Sequence, residues 1–452
     1  MEGDLINGDI PDHWELTTLG EICQRGGGNI QTGPFGSQLH ASDYVPVGIP
    51  SIMPTNIGDN RIVEDGIVRI TEEDANRLGQ HRLKVGDIVY SRRGDVEKRA
   101  LIREREEGWL CGTGCLKVRL GSGVVNPLFA SLFLGHPAIR EWIVRHAVGA
   151  TMANLNTSIM SAVPFALPPL AEQKAIAAVL GALDDKIELN RRMNETLEAM
   201  ARALFQSWFV DFDPVRAKLD GRKPEGLDEA TAALFPNSFQ ESEAGQIPKG
   251  WEAKTIESLC DVITSGGTPA RVHKAYWEPA SVSWFKTGEL MDGPLIDAEE
   301  KISVEGLANS SCKLWPAGTI LFALYASPTV GRFGVLTKPG TANQAAAALI
   351  AKPTYGVPFL MGLLYKARAE LQRVAVGAAQ QNINQGVLKS HVVIAPPPAL
   401  AKTYSDKAAP WFEQRIKLAE QSRTLATLRD TLLPKLLSGE LGVDKIKEGL
   451  VA

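Results

Sequence analysis

The stretch Ile10-Pro11-Asp12-His13-Trp14-Glu15-Leu16-Thr17-Thr18-Leu19-Gly20-Glu21-Ile22-Cys23 returns as Ile247-Pro248-Lys249-Gly250-Trp251-Glu252-Ala253-Lys254-Thr255-Ile256-Glu257-Ser258-Leu259-Cys260. Six positions coincide: Ile, Pro, Trp, Glu, Thr and Cys. Chance does not supply such a match, and later segments keep step with it. Gly86-Asp87-Ile88-Val89-Tyr90 is echoed by Gly318-Thr319-Ile320-Leu321-Phe322. Val148-Gly149-Ala150 with Asn154-Leu155-Asn156 is echoed by Val376-Gly377-Ala378 with Asn382-Ile383-Asn384, and Val163 to Pro169 by Val392 to Pro398. The 452-residue chain is therefore one unit of roughly 230 residues written twice.

Each unit has the same internal order. A globular part of about 160 residues carries short β-rich runs, such as Arg82 to Ser91 and Thr319 to Ala326, punctuated by Gly and Pro. It stops at a double proline. Beyond Pro169, Ala171 to Phe205 holds no Pro and one Gly, with Ile176, Leu183, Asn190, Leu197 and Leu204 at seven-residue intervals. Leu180, Ile187, Asn194 and Ala201 form the companion series of a heptad seam. Beyond Pro398 the matching stretch runs to about Leu437, with Trp411, Leu418, Leu425 and Leu432 at the same interval and Leu428 and Leu436 beside them. Helices of roughly 35 to 40 residues are far longer than the usual globular helix of about 11 to 12, which favours their pairing with each other. Asn190 and Asn194 either fix the register of that pair or mark a frayed, partner-facing stretch.

The expected fold is α+β: two similar globular α/β domains joined by two long helices in an antiparallel coiled coil, with an internal pseudo-twofold repeat. The boundaries read as a first globular domain over 1–165, a long helix over 166–210, a linker over 211–246, a second globular domain over 247–395, a second long helix over 396–440 and a tail over 441–452.

Composition excludes a disordered chain or a fibre, since 44% of residues are hydrophobic and the length suits two to four domains. Five cysteines, an odd number, are spread from Cys23 to Cys312, so a disulfide framework is not expected. Cys111 and Cys115 lack the further ligands of a zinc finger. The first residues carry acids where a secretory signal needs basic and apolar ones, and no run approaches a membrane span, so a cytoplasmic location is the expectation.

No catalytic apparatus is legible. Neither a G-x-x-x-x-G-K-[ST] loop nor a G-x-G-x-x-G turn occurs. Asn126-Pro127-Leu128-Phe129 superficially suggests the Asn-Pro-Pro-Phe/Tyr box of amino-methyltransferases, but Leu replaces the second proline, and the pair reads as a helix start. Asp297, Glu299 and Lys301 suggest a nuclease cluster, yet their spacing is tight and a solvated acidic turn (Asp297, Glu299, Glu300) explains them better. No histidine stands out at ligand or triad spacing.

The net charge of −4 hides a division. Residues 24 to 150 hold 16 Lys plus Arg against 14 Asp plus Glu, and 261 to 376 hold 11 against 9, whereas 163 to 246 hold 9 against 14. Mildly basic globular parts are thus offset by an acidic helix and linker. Arg92, Arg93, Lys98 and Arg99 cluster in the first domain. Arg271, His273, Lys274 and Lys286 surround Trp277, Trp284 and Phe285 in the second. Two basic clusters on two copies of one domain point towards DNA phosphates. Gln31, Gln38, Gln380 and Gln381 are further candidates, because a carboxamide can bond an adenine edge bidentately, and Ser37, Tyr325 and Arg332 complete the candidate DNA-binding residues.

With these features in place the chain resembles, over essentially its whole length, the specificity subunit of type I restriction-modification systems. The resemblance rests on Ile-Pro-x-x-Trp at both repeat starts, on Thr32-Gly33-Pro34-Phe35-Gly36-Ser37, and on Gly267-Thr268-Pro269 with Tyr276-Trp277 and Trp284. It rests also on Pro-Pro-Leu-Ala-Glu-Gln over 168–173 and on Leu432-Leu433-Pro434-Lys435-Leu436-Leu437-Ser438-Gly439-Glu440-Leu441. The second half departs from the pattern, with Pro-Pro-Ala-Leu-Ala-Lys in place of Pro-Pro-Leu-Ala-Glu-Gln. The resemblance implies two target-recognition domains, each reading half of a bipartite double-stranded DNA sequence, and a helix pair that sets the spacer. It implies two modification subunits, which bind S-adenosylmethionine and methylate adenine, together with restriction motor-nuclease subunits. This chain is expected to bind no cofactor or metal and to catalyse nothing. A stand-alone two-domain nucleic-acid or protein adaptor with a coiled-coil interface is the alternative class.

Overall fold

The structure, a computed structural model, describes residues 10–149, 153–243, 245–325, 328–374 and 383–442. It divides into two compact units, Met1–Lys186 with Thr424–Ala452, and Ile187–Arg423. The long helices are Leu170–Phe209 and Pro398–Leu437, each of 40 residues and so about 60 Å long. The unit boundary falls inside both helices, and each unit takes a stretch of each. Among the described residues no helix is long and apolar enough to cross a membrane.

In the first unit the repeated motif closes the domain. Glu15–Thr18 pairs antiparallel with Pro164–Leu167, Glu15 opposite Leu167 and Thr18 opposite Pro164. Thr18 then caps the helix Leu19–Gly26: its hydroxyl accepts from the Glu21 amide while the Glu21 carboxylate accepts from the Thr18 amide. Trp14 and Cys23 are buried. A four-stranded antiparallel sheet runs Asn29–Thr32, Cys115–Arg119, Ile88–Ser91, Arg99–Leu101. A three-stranded sheet runs Val68–Ile70, Ile49–Ile52, Leu110–Cys111. The core that holds Ile88, Tyr90, Phe129 and Phe165 also takes Ile176 and Leu180 from the start of the first long helix and Leu436 and Leu437 from the end of the second. Past that end, Gly439 has φ +76°, and a Cβ there would lie 2.2 Å from Pro11 Cγ. Only glycine fits, so Ser-Gly-Glu-Leu is the other half of the Ile-Pro-x-x-Trp contact.

Asn126 does start a helix, Pro127–Phe133, its side chain accepting from the Phe129 amide at 3.0 Å. Its own amide donates to Gln173, a buried residue whose side-chain amide donates to Pro168 O at 2.7 Å. The Glu-Gln of Pro-Pro-Leu-Ala-Glu-Gln is thereby explained: Gln173 ties the helix start to the domain, and Glu172 accepts from the Trp14 indole at 3.3 Å.

The second unit repeats the plan. Glu252–Thr255 pairs with Val392–Ala395 in the corresponding register, Thr255 opposite Val392, and Thr255 caps the next turn. Its main sheet runs Cys260–Ser265, Ala346–Ala351, Ile320–Ala323, Phe333–Leu336, followed by a fifth strand, Gly293–Leu295, parallel to its neighbour. The three-stranded sheet Glu300–Ile302, Val282–Phe285, Thr341–Ala342 matches that of the first unit strand for strand. Trp251 shares a core with Phe205, Trp208 and Phe209 at the end of the first long helix and with Leu400, Ala401 and Tyr404 at the start of the second. The segment expected as a linker is folded. It forms helices Asp213–Leu219 and Glu229–Ala233 and a ladder of Phe239–Ser242 with Gly245–Pro248, and buries Val215 and Phe235 in that core.

The helix pair is antiparallel in both units. Asp184 meets Arg429 at 2.8 Å in the first. In the second, Asn190 Nδ2 donates to Gln421 at 2.9 Å and Ser422 at 3.3 Å, and Glu198 meets Arg415 at 2.8 Å. Asn190 is fully buried, as a register-fixing polar residue is. The heptad reading holds only in part. Ile176, Leu180 and Leu418 are buried, whereas Leu183, Ile187, Leu197, Leu204, Trp411, Leu425 and Leu432 are half-buried and Leu428 is 45% exposed. Near their ends the helices bury Phe205, Trp208, Tyr404 and Ala408 instead, because there they face a globular core as well as each other.

Gly362 reports on that packing. It lies on the helix Val357–Val374, where a Cβ would approach the Phe205 ring to 2.3 Å, while one at Gly288 would meet nothing. Gly362→Ala is expected to cost about 1–3 kcal/mol through overpacking, read as a lowered urea midpoint. Gly288→Ala is the control that leaves the midpoint in place.

Candidate nucleic-acid interface

In the first unit three loops meet beyond the central strand Ile88–Ser91. The chain leaves that strand as Arg92-Arg93, whose backbone is held on both sides: Arg92 N donates to Gly114 O at 2.8 Å, and Leu155 N donates to Arg92 O at 2.9 Å. The Arg92 guanidinium stands 5.6 Å from the centroid of Phe35, and its Nε donates to Asn154 Oδ1 at 3.3 Å. Arg93 is exposed, and a single bridge joins its backbone to Asn154. Partial burial, and then the charge of Arg93, lower the Arg92 pKa from its ordinary value. Among the described residues neither arginine has an ion-pair partner. Two adjacent, uncompensated guanidiniums beside a 55% exposed phenylalanine suit a polyanion that also offers flat apolar groups. Phe35 and Asn154 were visible in the sequence only as members of motifs.

The other candidates of this unit separate. Ser37 is exposed on the Phe35 loop, while Gln38 is half-buried and accepts from the Phe35 amide at 3.1 Å, so it shapes the loop. Gln31 is half-buried on the edge strand Asn29–Thr32. Lys98 is exposed but paired with Asp95 at 2.8 Å. Arg99 is a correction. It is buried, its Nε donates to Ser131 O at 2.6 Å, and it holds the edge strand of the sheet to the helix Pro127–Phe133. Alternation along the strand turns it inward while Lys98 faces out.

In the second unit Ile383 N donates to Leu324 O at 2.8 Å, as Leu155 does to Arg92. Tyr325 therefore occupies the place of Arg93, and it is 37% exposed. Arg332, half-buried, ends the same loop, its guanidinium 3.2 Å from Met291 Sδ. Gln380 and Gln381 lie outside the described residues. The basic and aromatic cluster proves largely self-contained. Arg271 stacks 3.7 Å from the Trp277 centroid and pairs with Glu300 at 2.6 Å. Lys286 pairs with Glu299 at 2.9 Å and Glu300 at 3.2 Å, and hydrogen bonds to both raise its pKa. The acidic turn is only partly solvated: Glu299 is exposed, whereas Asp297 bonds Arg423 at 2.5 Å and Lys301 at 3.2 Å. His273 and Lys274 stay exposed without a carboxylate partner among the described residues. All five cysteines are buried and none is joined in a disulfide, and among the described residues no group of three metal-binding side chains occurs.

The repeated domain is also what other proteins share. The sequence model described as the type I restriction modification DNA specificity domain matches residues 11–199 and again 248–403. The chain belongs to this family. Both matches begin at the proline of Ile-Pro-x-x-Trp. Among curated members, the chain is 27% identical over 440 residues to the type I restriction enzyme HindI specificity subunit of Haemophilus influenzae, covering 87% of this chain and 95% of that protein. It is 25% identical over 446 residues to the MjaIX specificity subunit of Methanocaldococcus jannaschii, covering 97% and 96%. In fold it is similar to the type I restriction-modification S subunit from M. genitalium, at a TM-score of 0.55 and 16% identity over 95% of this chain and 97% of that one.

Burial divides the arginines by role, and stability reads the division. Arg99→Ala should lose about 1.5–3 kcal/mol, the scale of a buried charged hydrogen bond, whereas Arg93→Ala should stay within about 0.5 kcal/mol of the parent. Chemical denaturation of the two variants side by side checks both.

Proposed function

We propose that the chain is the DNA specificity subunit of a type I restriction-modification complex and does no bond chemistry itself. Each globular unit reads one half of a bipartite double-stranded target from the major groove, using the loop that follows its central strand. The antiparallel helices set the spacer and dock two modification subunits, on which S-adenosylmethionine is bound and adenine methylated. Motor-nuclease subunits complete the restriction enzyme.

The observation that carries this reading is duplication of the fold with divergence of the loop. Strand order and closing ladder are shared. At the equivalent loop position, however, one unit presents Arg92-Arg93 and the other Tyr325 alone, with Leu324 buried. One scaffold with two unlike tips suits an asymmetric target of two short halves. Phosphate contacts fix position and the tips read base edges. The mild basicity of each globular part suits a subunit that shares its hold on DNA with larger partners.

If the helices set the spacer, lengthening both should lengthen it. Seven residues inserted between Lys186 and Ile187, and seven between Ala426 and Thr427, keep the antiparallel register and add about 10 Å. Adenine-methylation mapping of DNA exposed to the variant, co-expressed with its modification subunit, should then return the same two half-sites with a spacer about two to three base pairs longer. An unchanged spacer contradicts the role given to the helices.

A further inference from the structure

The second main sheet has one strand more than the first, Gly293–Leu295, and the residues flanking it are tied to the second long helix. On one side stands Asp292, in the left-handed region at φ +60°. Its carboxylate accepts from both terminal nitrogens of the Arg368 guanidinium, on the helix Val357–Val374, and from the Phe333 amide at 3.1 Å. Its backbone oxygen is 3.5 Å from Arg415, a buried residue of the long helix that is also bound to Glu198 at 2.8 Å. On the other side stands Asp297, which takes Arg423 of the same helix at 2.5 Å. Arg415 and Arg423 are eight residues apart, about 12 Å along a helix, so the strand is held at two points as it passes.

A crevice lies at the outer point, lined by Phe285, Pro294, Leu295 and Ala419 together with Asp297 and Arg423 themselves. The strand-to-helix contact there rests on that ion pair rather than on close apolar packing. The two points are unequal. Arg415 is enclosed and locked to the other long helix, while Arg423 is 55% exposed in its side chain and Asp297 21%. Removing the outer point therefore leaves this sheet edge, Gly293–Leu295 with its neighbour Phe333–Leu336, tied to the long helix at the inner point alone.

We propose that Arg423 and Asp297 are positioning residues that fix the angle of the second globular domain on its helices, and through it the discrimination between spacer lengths. The proposal rests on the reading of the chain as a specificity subunit with a bipartite target. Neither residue reads a base. Their loss leaves both half-sites as they are and relaxes only the distance at which the second is accepted.

The test uses the full chain with its modification subunit. Methylation mapping with the wild-type complex first defines the motif. Initial methylation rates are then compared on duplexes that carry that motif with its native spacer or with one base pair added or removed. Arg423→Glu should raise the relative rate on the altered spacers by about two- to fivefold, the factor to which the coupling of an exposed ion pair corresponds. Its mapped half-sites and unfolding temperature should match the parent's, and Arg423→Lys, which keeps the charge, should retain the parental ratio. An unchanged ratio in Arg423→Glu, or a Lys variant that behaves like the Glu variant, overturns the proposal. A wild-type complex that methylates no bipartite motif overturns the underlying reading instead, and does so before any variant is made.

Discussion

Four residues at the start of each globular part pair with four at its end, Glu15–Thr18 with Pro164–Leu167 and Glu252–Thr255 with Val392–Ala395. The entry and exit of each domain are thereby brought side by side, and the residues after the exit strand begin a long helix. Everything enclosed can vary without moving the ends, because the backbone ladder asks little of side chains while the flanking Thr cap and Trp anchor are fixed. The fold needs this constraint at both ends. Trp14 packs in one core with the last residues of the second long helix, and Trp251 in another with the last residues of the first. Each domain thus ends into the start of one helix and begins against the end of the other.

Charge follows the same division of labour. Where elements of one unit must be held, arginine finds a carboxylate or a carbonyl: Arg119 with Asp87, Arg368 with Asp292, Arg99 with Ser131 O. Where the loop leaves the central strand of the first unit, Arg92 and Arg93 have no acid beside them among the described residues. A cation left without a partner near the mouth of a duplicated scaffold is a better pointer to a polyanion than net charge, which sums the held with the unheld.

The sequence made the duplication legible because its matching residues have backbone duties. Thr18 and Thr255 cap, Trp14 and Trp251 fill, and Asn156 and Asn384 cap the last short helix of each domain. The long helices were equally plain, since a proline-free run bounded by Pro-Pro leaves little choice. Less was legible about which cations are spoken for. Arg271 and Glu300 are 29 residues apart and meet because Arg271 lies over Trp277 and Trp284, and strand pairing sets Trp284 opposite Glu300. Arg99 reads as part of a basic run until its strand turns it inward. The segment over 211–246 reads as an acidic linker, yet Val215 and Phe235 give it a place in the second core. Its acids are solvent-facing and its few apolar residues decide its structure.

The claim at the centre of this account is that whatever lies inside the closing ladder is an exchangeable reader and whatever lies outside is the frame. It is tested most directly by replacing residues 24–150 with the corresponding segment of a relative of known target, co-expressing the chimera with its modification subunit and mapping methylated adenines. The account predicts a hybrid motif, with one half-site replaced by the donor's and the other half-site and the spacer retained. A motif identical to the parent's, or one altered in both halves, would contradict it.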